Sequence, residues 1–156
     1  MKPKKDKINI GWQEWVALPH LHLPAIKAKI DTGAKTSSIH AFDIEPYKRG
    51  KQQYVKFMIH PLQSDNEIDI ICHAPVIDIR GVMSSNAIIE QRYVIKSPLV
   101  LANQKWDIEL TLSNRDPLRF RMLLGREALR SKVLIDPAKI LLTQSYTKKT
   151  LYKMYS

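Results

Sequence analysis

Apolar residues along this chain recur at a spacing of two, and that rhythm limits the fold more than any other feature. The runs "WQEWVAL" (12–18), "AIKAKI" (25–30), "YVKFMIH" (54–60), "APVIDI" (74–79), "AIIEQRYVI" (87–95) and "KWDIELTL" (105–112) alternate or are continuously β-rich. In a strand such spacing sends successive side chains to opposite faces. Pro19, Pro24, Pro46, Pro61, Pro98 and Pro117 are expected between the strands, where a missing N–H removes no ladder bond. Helical spacing is confined to "GREALRS" (125–131), directly behind the strand-like "FRMLL". With no repeat and no low-complexity stretch, the pattern implies an all-β domain, a closed or nearly closed barrel, and argues against a layered α/β scheme.

At 156 residues the chain can bury one sizeable core, and 44% hydrophobic with 26% charged residues is the composition of a soluble globular protein. No apolar stretch has the length of a membrane span, and Ile8 to Ile10 is too short for a signal-peptide core. Cys72 stands alone, so no internal disulfide forms, and a cytoplasmic location is expected. The net charge is +10. Much of it lies at the ends, in Lys2, Lys4, Lys5 and Lys7 and in Lys148, Lys149 and Lys153. A basic N-terminal tail over 1–8, a barrel domain over 9–143 and a basic C-terminal tail over 144–156 are therefore expected. No recognition-helix or RNP-like pattern accompanies the charge, which argues against nucleic acid as the partner.

Two runs carry chemistry. "KIDTGA" (29–34) ends a strand with a carboxylate, and "RMLLGREAL" (121–129) runs a strand through Gly125 into a short helix. Alone, Asp-Thr-Gly is an ordinary turn composition. A glycine after two leucines lets a strand pass close behind another loop without a side chain intervening. His-Glu-x-x-His and a Gly-rich phosphate loop ending in Lys-Ser/Thr are both absent from the sequence, so neither a metal nor a nucleotide cofactor is expected. His20 and His22, between Pro19 and Pro24, are expected at the surface. Cys72, beside His73, is expected as a small buried hydrophobe.

Together these runs resemble a retropepsin-type aspartic protease, with Asp31-Thr32-Gly33-Ala34 at a strand end and Leu123-Leu124-Gly125-Arg126 leading into a helix. "VIDIRGVMSSNAIIEQRYVI" (76–95) resembles that family's flap hairpin, its tip between Gly81 and Asn86 with Ser84 and Ser85 inside it. The similarity is closer still to bacterial RimB-like proteins, a group also labelled ATP-dependent zinc proteases. It rests on "GWQEWVALP", "KAKIDTGAKTSSIHAFDIEP", "FMIHPLQ", "LSNRDPLRFRMLLGREAL" and "IDPAK", and spans roughly residues 9 to 140.

The resemblance implies a closed six-stranded-type β-barrel of the acid protease fold with one short helix after the Leu-Leu-Gly strand. It implies a catalytic Asp31 that shares a proton with a second carboxylate; this chain holds a single Asp-(Ser/Thr)-Gly, so the second comes from an identical subunit meeting it through the active-site loops. Thr32 would tie the two loops together, Gly33 would let backbone approach substrate, Ala34 would keep the floor shallow, and Leu123, Leu124 and Gly125 would pack behind. Relatives commonly carry an acid where this chain has Lys35, so Arg126 needs another partner, and Lys35 and Arg126 either form a cationic rim or face solvent. The implied substrate is a peptide, or an acidic protein tail in view of the family's association with ATP-grasp ligases that add glutamates. Two other readings stay open: a non-catalytic barrel holding RNA or a ribosomal or acidic protein partner, and a metal-dependent hydrolase.

Overall fold

The computed structural model describes residues 6–83, 86–114 and 119–156. In chain order the elements are β1 (Ile8–Ile10), β2 (Gln13–Leu18), a 3-10 turn (Pro19–Leu21), β3 (Leu23–Asp31), β4 (Ser37–His40), β5 (Phe42–Arg49), β6 (Gln52–Ile59), β7 (Ile70–Met83), β8 (Ile89–Leu101), β9 (Gln104–Ser113), β10 (Met122–Gly125), α1 (Arg126–Leu129), β11 (Val133–Ile135) and α2 (Lys148–Met154). Nine strands form one sheet in the order β2-β3-β10-β4-β9-β8-β7-β6-β5, and β1 pairs with β11 apart from it. The fold is mostly β, as the alternation requires.

The expected six-stranded closure is not a ladder. β2 meets β8 through one pair, Ala17 with Val100. The reason lies in β8, which offers one side to β9 along most of its length and must divide the other. Its first half pairs with β7 as far as Ile95, leaving only its far end for β2. The sheet instead continues through β7 and β6 to an edge at β5. Three prolines expected between strands also lie inside them: Pro24 in β3, Pro46 in β5 and Pro98 in β8. Each sits where a ladder is missing or broken. Pro46 is on the edge strand, Pro24 lies opposite the irregularity between Val16 and Leu18, and Pro98 follows the end of the β7 ladder. Pro117 falls outside the described residues.

Alternation gives β2 and β3 two buried faces. Val16 and Ile26 enter the main core with Phe57, Ile95 and Leu110. Trp15 and Ala25 point the other way, into a smaller cluster with Leu62 and Leu151. Leu151 belongs to α2, so residues 144–156, read above as a basic tail, carry a helix that covers this second face. Thr147 caps it by accepting from the Thr150 N–H at 3.2 Å, and Tyr155 donates to the Ala25 carbonyl. Lys148, Lys149 and Lys153 face solvent on its other side. The route to α2 is fixed by Glu14, which has no exposed surface. Its Oε2 accepts from the N–H groups of Gly11 (2.8 Å) and Leu142 (2.9 Å), and its Oε1 from the Thr143 N–H (3.0 Å) and hydroxyl (2.9 Å). Gly11 permits this approach: a Cβ there would lie 2.2 Å from the Lys139 carbonyl oxygen.

Candidate active site

β10 runs parallel to β3 with Leu124 beside Ile30 and Gly125 beside Asp31, so the Leu-Leu-Gly strand fixes the backbone at the carboxylate. Ile30 and Leu124 are both in the core. Past Asp31 the chain turns: the Ala34 N–H donates to the Asp31 carbonyl (3.2 Å) and the Gly33 N–H to Asp31 Oδ1 (3.1 Å). The loop then folds across Gly125. The Arg126 and Glu127 N–H groups donate to the carbonyls of Ala34 (2.8 Å) and Lys35 (3.1 Å), and the Gly125 N–H donates to Ser37 Oγ (3.0 Å). A Cβ at Gly125 would lie 2.8 Å from the Thr36 carbonyl carbon, so close passage demands glycine here. Ser37 is buried and its carbonyl accepts from the Thr111 hydroxyl at 3.3 Å. Sequence reasoning missed Ser37; its only signal was the small, hydroxyl-rich "TSS" after the turn.

Arg126 turns back onto this loop. Its Nη1 donates to the carbonyls of Gly33 (3.2 Å) and Thr32 (3.5 Å), which supplies the partner that an acid at position 35 would otherwise offer. Of the two residues read above as a candidate rim, Lys35 lines the cleft, while Arg126 is exposed outside its lining and braces the loop carbonyls. Thr32 is exposed, Asp31 and Ala34 are half-buried, Leu124 is in the core and Leu123 is half-buried.

A cleft of about 860 Å³ lies between residues 33–37 of the loop, residues 80–83 of the β7–β8 hairpin, Asp107 to Glu109 of β9 and the start of α1. Gly81 borders it; Asn86 is exposed farther out, and Ser84 and Ser85 lie outside the described residues. Lys35 and Arg80 line it together with Asp107, Glu109 and Glu127, so its wall carries both signs. Arg80 reaches Asp78 at 2.6 Å and Glu109 at 2.9 Å, and its hydrogen bond holds the Asp78 carboxyl below the usual carboxylate range. Glu127 pairs with Arg130 at 3.3 Å. Lys35 forms no ion pair among the described residues.

Among the described residues no group of three or more His, Cys, Asp and Glu converges to hold a metal. His20 and His22 are exposed. Alternation along β7 turns Cys72 inward and His73 outward, so the two do not face one site. Cys72 donates to the Leu21 carbonyl at 3.3 Å, and burial pushes its thiol up to about 12. His73 instead meets the Tyr47 hydroxyl at 2.8 Å.

An Asp-Thr-Gly turn at a strand end, clamped from behind by Leu-Leu-Gly and facing a long hairpin across a cleft, defines a retropepsin-like domain. The chain belongs to the RimB-like family: its model, described as the retropepsin-like aspartic endopeptidase RimB, matches residues 9–145. Curated relatives named "Probable alpha-L-glutamate ligase" are similar to it. That of Parasynechococcus marenigrum is 52% identical over 131 residues, 84% of this chain and 28% of the relative. That of Shewanella halifaxensis is 51% identical over 134 residues, covering 86% and 29%. That of Desulfotalea psychrophila is 48% identical over 147 residues, covering 94% and 32%. The chain thus spans less than a third of the length of these relatives. A solved Legionella pneumophila protein of unknown function shares the fold, with a TM-score of 0.71 and 24% identity over 89% of this chain and all of that one. No helix among the described residues is long and apolar enough to cross a membrane.

Proposed function

We propose that the chain is an aspartic-type peptidase whose site is completed by a second copy, each subunit contributing Asp31. One observation carries this reading: Asp31 stands at the end of β3 in a turn fixed on three sides, by Gly33, by parallel pairing with Gly125 and by the Arg126 braces. A carboxylate so restrained keeps its position for chemistry, and its Asp-Thr-Gly supplies half of a pair. With two copies apposed, one carboxylate takes a proton from water as its oxygen attacks the scissile carbonyl carbon. The other, protonated, donates to the carbonyl oxygen. The C–N bond then breaks and the amine leaves with a proton. The proposed substrate is a peptide, with a glutamate-bearing polypeptide tail first among candidates, in view of the name of the curated relatives and of Lys35 on the cleft wall.

Those relatives also favour a second reading. Ligase activity in their names belongs to proteins about three times as long, and the region shared with this chain could serve there by holding the acidic polypeptide without cutting it. Asp31→Asn separates the two. On a peptide ending in several glutamates, the substitution should lower hydrolysis by roughly 10²–10⁴-fold while the melting temperature holds. Hydrolysis that survives the substitution refutes the peptidase site. Tight binding of the peptide by the unaltered chain without any cleavage supports the holding role.

A further inference from the structure

β5, β6 and β7 form the free end of the sheet, and their outer face is covered by no other element among those described. Register places Tyr47, Tyr54 and Pro75 in one row across the three strands, and Glu45, Lys56 and His73 in the next. The inner rows, Val55 with Ala74 and Phe57 with Cys72, are buried, so these two rows face outward. The Tyr47 and Tyr54 rings stack with centroids 5.7 Å apart. The Tyr47 hydroxyl is held by His73, and the Arg49 guanidinium lies 4.5 Å over the Tyr54 ring. Gly50 and Lys51 form the two-residue turn between β5 and β6, Gly50 with φ of +63° and open space around it. Lys48, Arg49, Lys51 and Lys56 all fall in this hairpin, and Glu45 is the one acid between residues 44 and 64.

We propose that this outer face binds single-stranded nucleic acid, with bases stacking on Tyr47 and Tyr54 and phosphates meeting Arg49, Lys56 and Lys51 of the turn. Stacked aromatic rings on a strand surface, interleaved with cations, suit unpaired bases joined by phosphates, because every base offers a π-face. A duplex hides those faces. A glutamate-rich polypeptide would meet the cations but offer no flat ring to stack on the tyrosines. None of these residues borders the cleft beside Asp31, so the surface is separate from the proposed peptidase site.

The test is fluorescence anisotropy on the full chain with three labelled probes: a twelve-nucleotide single-stranded RNA, the same sequence as DNA, and a glutamate oligomer of equal charge. Both oligonucleotides should bind, more tightly than their duplexes, and weaken with salt by roughly 0.7 log unit per decade for each phosphate met. Tyr47→Ala and Tyr54→Ala should each weaken oligonucleotide binding by roughly 5- to 100-fold with the salt slope intact. The paired change Arg49→Gln and Lys51→Gln, at exposed positions beside the tyrosines, should flatten the slope, and it carries the test should a tyrosine variant melt early. Preference between RNA and DNA identifies the natural strand. Equal binding of the glutamate oligomer, with the tyrosine variants unaffected, overturns the proposal in favour of an acidic polypeptide. No binding at low salt also overturns it, leaving the lysines as guards of an exposed sheet edge.

Discussion

Four donors converge on Glu14, and they come from Gly11 on one side and from Leu142 and Thr143 on the other. Replacing one carboxylate oxygen by an amide NH₂ would set donors against donors with no water to relieve them. Glu14→Gln is expected to cost about 3 kcal/mol. For a domain of this size that lowers the melting temperature by on the order of 6–12 °C. A thermal unfolding curve superimposable on that of the parent chain would show that the carboxylate anchors nothing. Residues whose task is local were legible in the sequence: Asp31 and Gly33 interact within one turn, and the leucine pair before Gly125 announced a close passage. Glu14 and Ser37 were not legible, because their partners stand 128 and 88 positions away and Glu and Ser look like surface residues wherever they occur.

Long strands were plain from their alternation, but strand ends and partners were not, since period two says which face a residue takes and nothing of what lies beside it. The same limit hid α2, in which one buried leucine among lysines suffices to dock a short helix. It also hid the competition for β8 between β7 and β2 that leaves the sheet joined there by a single pair. That competition shapes the hairpin at the cleft. The β6 ladder along β7 stops at Pro75, and the β9 ladder along β8 stops at Val94, so from Ile79 to Met83 the hairpin is a two-stranded ribbon. Two-stranded ribbons are marginally stable alone. Arg80, joined to Glu109 of β9, ties this one down near its base. In hydrogen exchange the amides of 79–83 and 89–93 should exchange well before those of 70–76 and 94–101, and should slow when a peptide fills the cleft. Uniform protection along both strands, unchanged by peptide, would remove the hairpin from any gating role.

At the scale of the whole molecule the chain offers one Asp-Thr-Gly turn, presented at a strand end beside a cleft, and hydrolysis by paired carboxylates requires two. The proposed enzyme is thus a symmetric pair, with the two Asp31 turns meeting on the axis. Arg126 is spent on the carbonyls of its own loop, so contact between subunits must come from other groups than an acid–arginine pair at this corner. The decisive measurement is a mixing experiment in which unaltered chains and Asp31→Asn chains, first shown to fold alike, exchange subunits freely at equal amounts. If one site needs both carboxylates, only pairs of unaltered chains cut, and about a quarter of the activity of an all-unaltered sample remains. About half remaining would mean that each chain carries a complete site, and would contradict the shared pair even with Asp31 essential.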